Sequence, residues 1–324
     1  MQLKTKFFAI FGILSSVVLC VVLCGCNHGS NTPVAKEKRL HIVCTTTMIE
    51  DLLQNLVGDK ARVTGIMRAG EDPHIYNVRP RDAEQIAQAD LVFTNGYHLE
   101  STLERVIRNN ASGPVIALAE EAVRKPLGSI EGNAVAPDPH CWMSVPYFRG
   151  YLQHALHSLE SLDPDNAAIY RSNAQQYDAK LEALDRWIKD RFASIPSEQR
   201  VIVTSHDAFQ YLANAYGLDV RAMTGISTAE APRPQEIENI EALIQNRNVQ
   251  ALFIETSTSS TLNRLVEKSA AATGASIGGT LYSDSLDAPG TPAGSYIGMM
   301  QHNVTAIADA LSQPSSSREG ATNL

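Results

Sequence analysis

Residues 163–195 constrain this chain more than any other stretch. Tyr170, Ala174, Tyr177, Leu181, Leu184, Ile188 and Phe192 recur at steps of three or four, with charged residues at most other positions. That spacing lays one apolar seam along a helix. Asp163 suits an N-cap, Pro164 suits the first helical position, and Ile195-Pro196 supplies a stop. A helix of roughly 30 residues is about 45 Å long, too long to lie inside one small domain and long enough to run past two. The pattern therefore predicts a strut between lobes. A short coiled coil is the other reading, but the heptad pattern is brief.

On either side of the strut, short β-rich runs alternate with amphipathic helices, the signature of βα units and parallel sheet. Before it, strands are expected at 41–44, 62–67, 91–94 and 115–118, and helices near 49–57, 81–87, 99–109 and 145–162. After it, strands are expected at 201–204, 219–223, 251–255 and 276–278, and helices near 208–216, 234–246, 260–273 and 295–311. The fold class is α/β: an N-terminal lobe over 40–162 and a C-terminal lobe over 196–311, pseudo-symmetric and joined by the 163–195 helix. The Ser-rich tail 312–324 lacks apolar periodicity and is expected to be disordered.

Residues 1–25 carry Lys4 and Lys6 ahead of an uncharged run over 7–23, which reads as an export segment. Its end, Leu23-Cys24-Gly25-Cys26, is similar to a bacterial lipoprotein box with Cys26 as the lipidated residue; Cys20 and Cys24 fit less well because leucine precedes each. An uncleaved anchor is the other reading of this run. Residues 26–39 are polar and patternless, as a tether would be. Cleavage leaves 299 residues (324 less 25) and, with two lysines gone, takes the formal charge from −8 to −10. That balance argues against nucleic acid or anionic headgroups as partners and suits attraction of cations. Of five cysteines only Cys44 and Cys141 remain in the body, too few for a disulfide framework, and their spacing leaves open whether they pair.

Gly-rich phosphate loops, a GxSxG elbow and an HExxH helix are all missing from the sequence. Chemistry is then expected in the loops that follow strands, where open α/β sheets place ligands. Four such loops stand out: Gly70-Glu71-Asp72-Pro73-His74, Asp138-Pro139-His140-Cys141-Trp142, Thr204-Ser205-His206-Asp207 and Tyr282-Ser283-Asp284-Ser285. In the first two a proline confines the residue before it to extended geometry, so each histidine sits on a stiffened turn. His74 and His140 precede the strut; His206 and Asp284 follow it. Three imidazoles and a carboxylate converging in a cleft make a set for a borderline divalent cation such as zinc or manganese. His154 and His157, three apart on a helix, read as a wet face. His28, His41, His98 and His302 are set aside as tether, strand or helix residues, and Cys141 as a partly buried thiol.

The run GEDPHIYNVRPRDAEQIAQADLVFTNGYHLE, with DPHCWMSV, TSHDAFQYLANAYGL and SDSLDAPGTPAGSYIGMMQHNV, resembles the cluster A-I solute-binding lipoproteins, the metal receptors of zinc and manganese ABC importers. The resemblance runs in order from about Leu40 to Leu311. It implies two α/β lobes linked by a rigid helix, a metal held between them by His74, His140, His206 and Asp284, and delivery to a membrane permease and its ATPase. It also implies a monomer anchored outside the cytoplasm by lipid on Cys26, and no catalysis. Many zinc-importing members carry a histidine- and acid-rich loop where residues 122–136 have none, and many manganese-importing members have glutamate where this chain has His206. Two further readings of the same residues are a zinc hydrolase with Asp207 as base and a surface adhesin.

Overall fold

The computed structural model describes residues 39–131 and 134–312. The export segment, Cys26, the tether up to residue 38 and the tail beyond 312 lie outside the described residues. The first lobe contains β1 (Leu40–Cys44), α1 (Thr47–Val57), β2 (Ala61–Gly65), α2 (Pro80–Ala87), β3 (Leu91–Thr94), α3 (Ser101–Asn110) and β4 (Val115–Ala117). Then come α4 (Leu118–Ala122), β5 (Gly128–Glu131), β6 (Ala134–Pro137), α5 (Val145–Leu162) and the long α6 (Ala167–Ala193). The second lobe contains β7 (Val201–Thr204), α7 (Gln210–Tyr216), β8 (Asp219–Ala222), α8 (Pro234–Asn246), β9 (Ala251–Glu255), α9 (Ser260–Thr273), β10 (Ser276–Leu281) and α10 (Tyr296–Leu311).

Both main sheets are parallel, ordered β2-β1-β3-β4 and β8-β7-β9-β10. Counted within its own lobe, each reads second, first, third, fourth, so the two lobes repeat one topology. The central strands are apolar runs buried on both faces, as β3 and β7 are along their whole length, because helices cover a parallel sheet from both sides. In each sheet the strand order reverses about the first strand, and the loops at the carboxyl ends there are where such folds hold ligands.

The seam of α6 is buried as its spacing predicts: Tyr170, Ala174, Tyr177, Leu181, Leu184, Ile188 and Phe192 all face inward. Its 27 residues span about 40 Å. Early in the helix Asn173 Nδ2 donates to Leu56 O and Tyr177 OH donates to Asp51 Oδ2, both in the first lobe. Later, Tyr216 OH donates to Asp185 Oδ1 and Arg191 pairs with Asp309, both ties to the second lobe. The entry differs from expectation. Pro164–Asn166 forms a 3-10 turn before the α-helix starts at Ala167, and Asp163 makes no side-chain cap. Its Oδ2 accepts instead from Asn166 Nδ2 and Tyr170 OH.

Beyond shifts of up to three residues at element ends, two elements differ from the sequence pattern. The strand expected over 115–118 gives way at Leu118 to the five-residue α4, and an antiparallel hairpin, Gly128 opposite Pro137 through Glu131 opposite Ala134, precedes the His140 loop. Cys44 and Cys141 are buried, unpaired thiols. One apolar core runs from α1 through α5 and α6 to α10 and so belongs to both lobes; at its centre Phe148 stacks on Tyr296 at 3.6 Å.

Candidate metal centre

Each histidine is positioned by a carboxylate that grips its backbone. Asp72, held extended by Pro73, accepts His74 N at 2.9 Å through Oδ1. Asp138, likewise before a proline, accepts both His140 N at 2.9 Å and His140 Nδ1 at 2.8 Å. His206 leaves the end of β7 beside the end of β9, where Glu255 accepts His206 N at 2.8 Å and His206 Nδ1 at 2.6 Å. Asp284 follows β10, and its Oδ2 accepts from Ser257 Oγ at 3.3 Å.

A carboxylate only accepts, so the Nδ1 atoms of His140 and His206 carry hydrogen and their Nε2 atoms are the ones turned toward the other members of the cluster. Those two nitrogens lie 3.3 Å from Asp284 Oδ1 and 3.2 Å from Asp284 Oδ2 respectively, and His74 Nε2 is 3.3 Å from His140 Nε2. The four sequence-predicted ligands thus come together, with one donor atom from each within 4.8 Å of all the others. Exposure is 9% for His74, 2% for Asp284 and 0% for His140 and His206. His206 Nε2 and Asp284 Oδ1 are fully buried and poorly aligned for hydrogen bonding with the cluster members they meet at 3.2–3.3 Å. Buried polar atoms left poorly paired are costly, and a cation among them would satisfy both.

The electrostatics split the three imidazoles. Burial depresses His74 to about 3, opposed in part by the Asp284 charge. Burial also disfavours a charged His140, but hydrogen bonds to Asp138 and Asp284 outweigh it and hold this ring at about 9. His206 lies well above the usual value; burial is overcome by the charges of Glu255 and Asp284. Asp284 is well below the carboxylate range, because the charge of His206 and the bonds from both rings overcome burial. The His74 and His140 Nε2 atoms cannot both carry protons at 3.3 Å. His74, held neutral, is the acceptor.

Asp207, the base a hydrolase would use, accepts from Gln210 Nε2 at 2.7 Å, and burial raises its pKa. The histidines set aside are engaged elsewhere. His41 lies between Gln88 O and Thr64 Oγ1, His98 against Glu104, and His302 against Thr280 O, while His157 is exposed. Sequence reasoning missed the role of Glu255. A glutamate closing the otherwise apolar Ala-Leu-Phe-Ile of β9, at 1% exposure, is the signal that marks it.

Residues 42–310 match the family described as zinc-uptake complex component A, periplasmic. The chain is 33% identical over 303 residues to the manganese-binding lipoprotein MntA of Bacillus subtilis, covering 93% of this chain and 99% of that one. It is 30% identical over 317 residues to the manganese ABC transporter substrate-binding lipoprotein PsaA of Streptococcus mitis, covering 95% and 99%. Among solved structures, the periplasmic zinc-binding protein TroA from Treponema pallidum superposes with a TM-score of 0.80 at 33% identity, covering 85% of this chain and all of that one.

Proposed function

Because this chain belongs to the zinc-uptake complex component A family, we propose that it is an extracytoplasmic receptor that captures zinc or manganese and hands it to an ABC importer permease and its ATPase. The observation that carries the reading is the convergence of His74, His140, His206 and Asp284 on one buried point. In this reading those four are the metal ligands. Three imidazole nitrogens and one oxygen favour zinc over manganese on the order of divalent affinities. Four protein donors complete a tetrahedral set, whereas catalytic zinc keeps a position for water. The metal is therefore cargo and no reaction is performed on it. Cys26 bears the lipid that anchors the protein, which works as a monomer.

Among the described residues no helix is long and apolar enough to cross a membrane. Native intact-mass analysis of protein extracted from its own membranes tests the reading in one experiment. Expected are one metal per chain and an N-terminus at Cys26 carrying diacylglycerol; a metal-free chain that takes up neither zinc nor manganese sinks the receptor assignment. His206→Ala is expected to weaken zinc by roughly tenfold or more, since losing even an outer partner of a ligand costs about that much.

A further inference from the structure

Hydrogen bonds cross between the lobes in several places, among them Gly70 N to Ser285 Oγ at 2.8 Å and Leu286 N to Thr47 Oγ1 at 2.8 Å; those that bear on the loops of His140 and His74 differ in kind. At the base of the cleft Trp142 Nε1 donates to Ser283 O at 3.0 Å, Tyr296 OH donates to Trp142 O at 2.7 Å, and Tyr211 OH donates to Asp138 O at 3.0 Å. These aromatic side chains are at most 1% exposed. They bind the His140 and Asp284 loops to one another where water cannot compete.

His74 is held differently. Among the hydrogen bonds of the described residues its ring makes one, to His140, and no carboxylate grips its Nδ1 as Asp138 and Glu255 grip the other two rings. Its place is set through the backbone, by Asp72 Oδ1. The other oxygen of that carboxylate, Oδ2, accepts from Thr228 Oγ1 at 2.6 Å. Thr228 belongs to the second lobe, in the 223–233 loop between β8 and α8. The loop is rooted beside His206, where Asp207 N donates to Gly225 O at 3.1 Å and Thr224 N to Ser205 O at 3.3 Å. It therefore reaches from the His206 side of the site to the carboxylate that carries His74. Thr228 is half-buried, and Ala229 and Glu230 beyond it are exposed.

We propose that the Thr228–Asp72 hydrogen bond is an interlobe latch on the metal site, and that Thr228 is a positioning residue setting how fast metal enters and leaves past His74. The inference rests on the receptor reading above. The tie is half-buried on its Thr228 side, and it acts on the most exposed of the four proposed ligands. Breaking it releases the 223–233 loop from the Asp72 carboxylate, while the Gly70–Ser285 bond and the buried aromatic ties keep the rest of the site together. A bond to a carboxylate is strong enough for its loss to shift an opening equilibrium by roughly tenfold.

The test is stopped-flow exchange of zinc with a chromogenic chelator, in both directions, for the parent, Thr228→Val, Thr228→Ala and Thr228→Ser. Metal-free melting temperatures are measured alongside. A latch is opened on the way in as well as on the way out, so Thr228→Val and Thr228→Ala should both raise association and dissociation rates by about tenfold. The dissociation constant should stay within about threefold of the parent, and Thr228→Ser, which keeps the hydroxyl, should restore both rates. Parental exchange rates in the Val and Ala variants overturn the latch, as does faster dissociation alone with a matching loss of affinity, which marks a merely loosened site. A parent that binds no zinc overturns the receptor reading, and the latch with it.

Discussion

At the site, each raised imidazole is a proton held where a metal would sit. Near neutral pH the metal-free centre carries protons on His140 and His206 against the Asp284 carboxylate, while His74 stays neutral. A metal must displace them, so binding at pH 7 is expected to release about two protons per ion. Calorimetry in buffers of differing ionisation enthalpy measures that number; release of none would refute the proton-filled site. The linkage has a definite sign. His140 is raised from its unfolded value of about 6.5 to about 9, so the stability it lends the metal-free fold is complete below pH 6.5 and lost as pH rises through 9. Metal needs the neutral ring, so the metal-induced gain in melting temperature should grow over the same window. His74 runs the other way, its contribution present above pH 6.5 and lost as pH falls through about 3. That these four residues converge is legible in the sequence because stiff Asp-Pro-His turns and strand-terminal loops mark them locally. Glu255 is not legible in the same way: it meets His206 across 49 residues, through strand pairing that no short pattern encodes.

Among the elements, α6 carries the clearest energetic contrast between its faces. Leu181 is fully buried in the shared core, so Leu181→Ala should cost about 2–5 kcal/mol through lost burial and a residual cavity. Glu182, one residue on, makes an exposed pair with Arg186, and Glu182→Ala should cost less than about 0.5 kcal/mol. Urea midpoints for the two variants decide it; equal losses would mean that the seam is not what holds the helix. This face is readable from residue spacing because the periodicity is sustained along the whole helix. The β5–β6 hairpin escapes such a reading because Gly128, Ser129, Ala134 and Ala136 have weak strand preference and each arm has only four residues. At the start of α6 the amide and hydroxyl of Asn166 and Tyr170 engage the Asp163 carboxylate, a competition that a capping preference alone does not foresee.

On the scale of the molecule the question is how far two lobes can part when metal arrives. Two features bound the motion. A continuous core passes from α1 through α5 and α6 to α10, with the Phe148–Tyr296 stack inside it, so separating the lobes would expose apolar surface shared by both. The long helix is tied to the first lobe at Asn173 and Tyr177 and to the second at Asp185 and Arg191, so it cannot bend at one end without breaking contacts at the other. Hinge closure in two-lobed receptors needs a few linker residues that absorb large changes in φ and ψ. Here the crossing is a helix of 27 residues. Metal capture should accordingly move loops, such as the one bearing Thr228, and leave the lobes nearly fixed. A compact body spanning residues 39–312 has a radius of gyration of about 19 Å, and small-angle scattering with and without zinc should differ by less than about 5% of that. The metal itself should still stabilise the fold by about 4 kcal/mol when present at a thousand times its dissociation constant. Large stabilisation with little change in dimensions is the expected pair of results, and a contraction of several ångströms on binding would show that α6 is a hinge and not a strut.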